Sequence, residues 1–395
     1  MQVIYAPETP PDSYTMSLFL AGPSPRNEDQ PNWRTEALRI LDAQDYDGVV
    51  FVPLPRDGQW AHGYDSQVEW ETKYLNMADL VVFWIPRSEN LPGLTTNVEY
   101  GMWFDTGKAI LGYPEDATHM RYLDWHGQQE MVPVFHSLEE TLDEALKRLD
   151  WGALRTGGEK DVPLYIWKTP SFQQWLKAQK GSGNRLDGAK VVWTFRVGKK
   201  KQMVFFWALH VDVFIKAENR HKTNEVVLAR TDISTIVAYC APDMRFEGRI
   251  PETSIRYVLE TPVAIIKEYR SPASTPDAYI REIPGGSSWK PGDDPTTTAA
   301  HELSEETGLS IDPGRFKLIG TRQVAGTLSA HKAHVYACEL SREEMSSLQE
   351  DKGVHGVEED TERTYVEVHT LQDLLNAETL DWSNLGMILT TLLQA

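Results

Sequence analysis

Short unbroken apolar runs punctuate the first third of the chain. SLFLAGP begins at Ser17, GVVFVP at Gly48, DLVVFWIP at Asp79 and KAILGYP at Lys108, each stopped by glycine or proline. Runs of this length without polar alternation predict strands buried on both faces. Between them the apolar residues fall at helical spacing: Trp33, Ala37, Leu38 and Leu41, then residues 66–78, then 97–105. Strand and helix in strict alternation predict a parallel sheet covered by helices. SLEETLDEALKRL from Ser137 is an amphipathic helix that closes this region, so a first domain is expected over 1–150. Ligands of such sheets sit at the carboxyl ends of the strands, which singles out the loops 21–25, 53–64 and 85–99.

The pattern then changes. Residues 151–186 combine the glycine-rich GALRTGGEKD and KGSGN with TPSFQQWLKAQ, which has Phe172, Trp175 and Leu176 on one side. A linker carrying one docking helix is expected there. Beyond it, KVVWTFRV, QMVFFWALHVDVFI, NEVVLARTDISTIVAYC, PVAIIKEYRSP, FKLIGTRQVA and KAHVYACEL read as strands, with a final helix from Leu371. A strand-rich second domain with flanking helices is expected over 187–395.

Its centre is EIPGGSSWKPGDDPTTTAAHELSEETGL, residues 282–309. Asp293 or Asp294 can cap a helix, Pro295 suits its first turn and Gly308 its end, with Ala299, Ala300 and Leu303 for the buried side. Glu302, Glu305 and Glu306 then share one face, where like charges repel unless a cation lies between them. A hard divalent ion with oxygen ligands, Mg²⁺ or Mn²⁺ in its place, is the natural filler. HELSEETGL resembles the second half of the Nudix box, the signature of hydrolases that cleave a nucleoside diphosphate linked to another group. Three departures stand out: Asp293 where glutamate is usual, His301 where arginine is usual, and six rather than five residues after Gly286. The resemblance implies an α+β Nudix fold, an α/β/α sandwich, with Glu302, Glu305 and Glu306 as metal ligands and catalytic groups. KEYRSP followed by EIPGG is similar to the ADP-ribose pyrophosphatase branch, which implies that Arg270 holds a diphosphate. Glu282 and Gly286 would add substrate or water contacts, and the acidic loop with Glu358, Glu359 and Glu362 would supply a mobile base.

In the third N-terminal loop, LPGLTTNVEYGMW lets Thr95 or Thr96 cap a helix, leaving Glu99 in its first turn, where the helix dipole favours the charged form. An ionised carboxylate there is suited to attack a sugar carbon as its bond to a base breaks. FLAGP, WETKYLNMADLVVFWIP and TTNVEYGMWFDTGKAILGYP look like the nucleoside 2-deoxyribosyltransferase family, which includes nucleotide N-glycosidases. The resemblance implies a Rossmann-like, flavodoxin-like α/β domain with Glu99 as nucleophile, Gly22 in the substrate loop and Glu71, eight positions before Asp79, handling the base. The family's acid shortly before the nucleophile is missing, with Asn97 nearby as its replacement, which favours hydrolysis over transfer. His62, Tyr64, Asp65 and Gln67 are further candidates for substrate contact. Trp60, Trp70, Trp84 and Trp103 could stack on a base, although apolar surroundings favour the core.

Charge and composition narrow the field. A net charge of −19 opposes binding of a phosphate backbone, and the one basic cluster, Lys199 to Lys201, reads as a hairpin tip. No run approaches the roughly eighteen apolar residues of a membrane span. Cys240 and Cys338 are too few for a disulfide framework and fit two buried thiols. The expectation is a cytoplasmic, two-domain nucleotide-processing enzyme acting on small molecules, with a homo-oligomer left open and neither nucleic acid nor membrane as partner. A nucleotide sensor built on the same two domains is the alternative.

Overall fold

The computed structural model describes residues 1–25, 32–56, 63–242, 255–287, 293–356 and 362–394. Trp60, His62, the Tyr64 side chain, Glu358 and Glu359 lie outside the described residues. Two compact units are present, Met1–Ala229 and Arg230–Ala395.

In the first unit the strands β1 (Gln2–Tyr5), β2 (Ser13–Tyr14), β3 (Ser17–Ala21), β4 (Val49–Val52), β5 (Leu80–Trp84), β6 (Ala109–Gly112) and β7 (Val134–Phe135) alternate with helices. The helices are α1 (Trp33–Ala43), α2 (Tyr64–Met77), α3 (Leu94–Trp103), α4 (Arg121–Gln129) and α5 (Leu138–Leu149). The main sheet is parallel in the order β1-β4-β3-β5-β6-β7. Without the edge strand β1 this is the flavodoxin-like order, and the chain reverses direction across the sheet between β3 and β5. Each face is covered, which explains the unbroken apolar runs: β3 to β6 are buried throughout. Phe19, Phe51 and Phe83 meet Trp70, Tyr74 and Tyr100 from α2 and α3 in one cluster. Trp70 and Trp84 are therefore core residues, and Trp103 packs on the same cluster and beneath the Lys108 ammonium, 4.8 Å from its ring centre.

The stretch expected as a linker belongs to this unit. β8 (Arg155–Thr156) pairs with β2, and α6 (Leu164–Trp167) and α7 (Pro170–Gly181) follow. Thr169 caps α7, and Phe172 and Leu176 are buried. The strongest tie is electrostatic. The fully buried Arg155 guanidinium forks onto Asp79 at 2.7 and 2.6 Å, and Asp79 also accepts from the backbone of Ser17 and of Leu164, both at 2.8 Å. A three-stranded antiparallel sheet of β9 (Arg185–Val197), β10 (Met203–Ile215) and β11 (Arg220–Arg230) completes the unit. The first unit therefore extends to Ala229, past the expected 186/187, because β10 packs on this stretch, as where Trp207 Nε1 donates to Ser171 Oγ at 2.9 Å and its ring meets Phe172.

The second unit holds a mixed sheet. Its strands are β12 (Ile233–Tyr239), β13 (Pro262–Tyr269), β14 (Tyr279–Glu282), β15 (Gly285–Gly286), β16 (Lys317–Gln323), β17 (Lys332–Glu339) and β18 (Thr364–Thr370). The order is β14-β13-β12-β17-β16, with β15 added to β12 and β18 to β13. Side chains alternate across it. Ile236, Ala238 and Cys338 face α9 (Pro295–Thr307) and α10 (Arg342–Glu350). Val237, Val263 and Ile265 face α8 (Ile255–Glu260), α11 (Leu371–Asn376) and α12 (Trp382–Gln394) on the other side. Helices therefore sandwich the sheet, as expected. The final helix expected from Leu371 is two helices, separated where 377–381 breaks the apolar spacing.

Candidate active sites

At the point where the first unit's sheet reverses direction, Gly22 ends β3 at φ +153°, and a Cβ there would collide with the carbonyl oxygen of Trp84 on the neighbouring strand. The loop it starts is held from within. Arg34, buried on α1, donates through Nε to the Leu20 carbonyl at 3.0 Å, through Nη2 to that of Gly22 at 2.7 Å and through Nη1 to that of Pro23 at 3.4 Å. Trp33 Nε1 also donates to the Pro23 carbonyl, at 3.1 Å. Gly93, in the left-handed region at φ +58°, seats against the Pro23 ring and starts α3.

Glu99 and Glu71 reach this region from α3 and α2. Burial is the main influence on Glu99 and, with the nearby Glu71 charge, lifts its pKa to about 7, against the pull of Arg34. Burial likewise raises Glu71, opposed by a hydrogen bond from Gln67 Nε2 at 2.7 Å and by Arg34. Gln67 Nε2 also donates to the Pro53 carbonyl at 3.2 Å, joining the second loop to the group. Arg34 in turn is lowered to about 10 by burial, with both glutamates opposing. Three charged groups thus share one water-poor pocket.

The helix dipole does not set the charge state of Glu99. Because α3 starts at Leu94 with Gly93 as its cap, Glu99 lies beyond the first turn and Thr96 is buried inside the helix. The dipole falls off within the first turn, so burial decides, and it favours the proton. Asn97 does meet a partner: its side-chain oxygen accepts from Arg87 Nη2, while Arg87 Nη1 donates to the His119 carbonyl at 3.1 Å. Neither Arg34 nor Arg87 stood out in the sequence. An arginine on the apolar face of a predicted helix, as Arg34 is beside Trp33, was the available signal.

The second unit gathers a denser set of acids. Asp294 caps α9 by accepting from the Thr297 N–H at 3.0 Å, Pro295 opens it and Gly308 ends it at φ +71°. The three α9 carboxylates do not converge on one point. At about 100° per residue, Glu305 and Glu306 diverge to opposite sides of Glu302. His301 holds Glu305 to one side, with its Nδ1 2.7 Å from the Glu305 carboxylate. Glu302 lies against Gly286, where a Cβ would strike its carboxylate. Glu306 alone turns inward, accepting from the Gly285 N–H at 2.8 Å.

There it meets Glu268 of β13 and Glu362, with one carboxylate oxygen from each of the three lying within 4.8 Å of the others. Glu268 was missed because it occupies a strand position in the apolar run PVAIIKEY. Arg270 is the local counter-charge: its Nη2 lies 2.8 Å from Glu268 and 2.9 Å from Glu282, and Nη1 3.8 Å from Glu362. Arg230 adds a second positive charge that acts on Glu302, and two guanidiniums do not balance this many acids. Burial pushes Glu268 and Glu302 up to about 7 and Glu306 well above the carboxylate range, with neighbouring carboxylates adding to each. An all-oxygen donor set at this spacing, partly buried and short of positive charge, fits a hard divalent cation.

Residues 15–117 match the family described as nucleoside 2-deoxyribosyltransferase like. The chain therefore carries a nucleoside 2-deoxyribosyltransferase-like domain at its N-terminal end. The matched residues include Gly22, Glu71, Asn97 and Glu99, and the match implies a nucleoside-processing domain with a small-molecule substrate. No curated protein matches the chain. The second unit has no family match to the Nudix hydrolases, so its chemistry rests on its own residues. Among the described residues no helix is long and apolar enough to cross a membrane.

Proposed function

We propose that the N-terminal unit cleaves the N-glycosidic bond of a nucleoside or nucleotide, with Glu99 as nucleophile. The observation that carries this is the pairing of Glu99 and Glu71 around Arg34 beside the Gly22 loop. Two carboxyl groups in one buried pocket share protons unequally, which divides the roles. In the free pocket Glu99 holds the shared proton; passing it to Glu71 frees Glu99 to attack the anomeric carbon as its bond to the base breaks, and Glu71 then donates that proton to the departing base. Water then opens the glycosyl ester, and the absence of an acid just before Glu99 favours water over a second base as acceptor. Arg34 keeps the pocket from losing both charges at once.

The C-terminal unit, in the same proposal, is a Nudix-type hydrolase of a nucleoside diphosphate linked to another group, such as ADP-ribose. Glu306, Glu268 and Glu362 would hold Mg²⁺, or Mn²⁺, with Glu302 and Glu305 alongside. Such an ion supplies charge neutralisation at a diphosphate and acidifies a bound water. Arg270, balanced among Glu268, Glu282 and Glu362, is placed to exchange these partners for a phosphate oxygen. Acting in series, the two units would release a nucleoside monophosphate and then remove its base, or remove nicotinamide first and split ADP-ribose second.

The test uses the full chain with nucleosides, nucleoside monophosphates, NAD and ADP-ribose, with products identified by chromatography. Free base that disappears in Glu99→Gln, and Mg²⁺-dependent AMP that disappears in Glu306→Gln, are expected. Tight binding of these compounds with no product from any of them would overturn the enzymatic reading.

A further inference from the structure

The end of the main sheet opposite Glu99 holds a cavity of about 400 Å³ that the proposed glycosidic chemistry does not use. It opens at the amino ends of β5 and β6, beside Leu80 and Ala109, and is roofed by the 198–202 hairpin tip. Six cations line it: Lys147 and Arg148 of α5, Lys168, Arg196 of β9, and Lys200 and Lys201 of the tip. Against them stand Glu130 and Glu144, since the third acidic lining residue, Asp79, is already neutralised by Arg155. On a chain of net charge −19, so local a positive excess is unexpected.

Part of this charge anchors the hairpin. Arg196 Nη2 donates to the Asp105 carbonyl at 2.7 Å, and Gly107 leaves room for that guanidinium, because a Cβ there would lie 2.6 Å from Nη1. Lys201 Nζ reaches Glu130 at 3.0 Å, and Arg148 pairs with Glu144 at 2.9 Å. Anchoring consumes both glutamates. Lys147 and Lys200, both exposed, make no ion pair among the described residues, and Lys168 donates to the Leu149 carbonyl at 2.8 Å and lies over the face of Trp151, with the Asp150 and Asp79 charges acting on it. Six cations around one cavity against two glutamates leave a net repulsion, and a multivalent anion removes that cost.

We propose that this cavity binds a phosphate-bearing small molecule of about nucleotide size, with Lys147, Lys168 and Lys200 as its principal contacts. The volume suits a nucleoside diphosphate, and a polyphosphate is the chemistry that three ammonium groups lining one cavity recognise. The site is separated from Glu99 by the length of a five-residue strand, about 17 Å, so occupancy of one leaves the other open. It holds whether or not the glycosidic reading is correct.

Isothermal titration of the full chain with pyrophosphate and with ADP, in EDTA so that the carboxylate cluster has no divalent ion, is the direct test. Binding that weakens about tenfold or more in Lys147→Ala/Lys200→Ala, persists in Glu99→Gln and falls steeply with salt is expected. ADP binding more tightly than pyrophosphate identifies a nucleotide, and equal affinities identify the phosphates alone as the recognised group. Absence of binding by either probe, or affinity unchanged in the double variant, would overturn the proposal. Both lysines are exposed and unpaired, so the variant is expected to melt as the parent does, and crosslinking of periodate-oxidised ADP to Lys168 gives a second readout on the unmodified chain.

Discussion

The protonation of Glu99 is open to measurement through stability. The folded chain raises this carboxyl from 4.5 to about 7, so between those values it holds a proton that the unfolded chain has released. Stability contributed by this group therefore falls as pH rises through that window, the reverse of a salt-bridged carboxylate. The difference corresponds to about 3 kcal/mol at pH 8, of which about 2 kcal/mol survives solvent screening at the pocket mouth, and to under about 1 kcal/mol at pH 5. Glu99→Gln keeps the shape and cannot ionise, so it removes that cost. For a unit of this size each kcal/mol moves Tm by about 2–4 °C, which makes the expected gain about 4–8 °C at pH 8 and no more than about 3 °C at pH 5. Differential scanning calorimetry of both proteins at the two pH values measures this directly. A gain that is the same at pH 5 and pH 8, or a loss at both, would refute a titration near neutrality and with it the account of the pocket.

Other perturbations test separate parts. Arg34→Met strips the Gly22 loop of three hydrogen bonds and both glutamates of their cation, so unfolding in urea should be easier by about 3 kcal/mol and any base release should need a higher pH. Arg155→Met leaves Asp79 buried without a counter-charge, and a loss of about 3–5 kcal/mol by chemical denaturation is expected. In the second unit, Mg²⁺ should raise the melting temperature of the parent and not of Glu306→Gln, read by scanning fluorimetry with and without chelator. Gly286→Ala drives a methyl group into the Glu302 carboxylate, so weaker Mg²⁺ binding with an intact fold, seen by circular dichroism, is the expected pairing.

The sheet of the first unit was legible because its strands are buried on both faces, and a run such as LVVFW leaves no other assignment. The α9 caps were legible for a comparable reason, since Asp294, Pro295 and Gly308 act within one turn of their own backbone. What the sequence concealed acts over distance. Asp79 meets Arg155 across 76 residues, and Glu306 meets Glu268 through a strand whose alternation hides one acid among apolar neighbours. Helical spacing alone put three glutamates on one face, yet side-chain direction and His301 decided that one of them turns inward. Glu99 was singled out for a reason that did not hold, since burial rather than the helix dipole sets its charge.

The Asp79–Arg155 fork has a practical corollary for anyone cutting the gene. A fragment ending at 150, just past helix α5, would keep the aspartate and discard the arginine and the Leu164 amide that satisfy it. Such a fragment would carry an orphaned negative charge beneath its central strand and should be recovered in inclusion bodies, whereas one ending at Ala229 retains every member of the clamp.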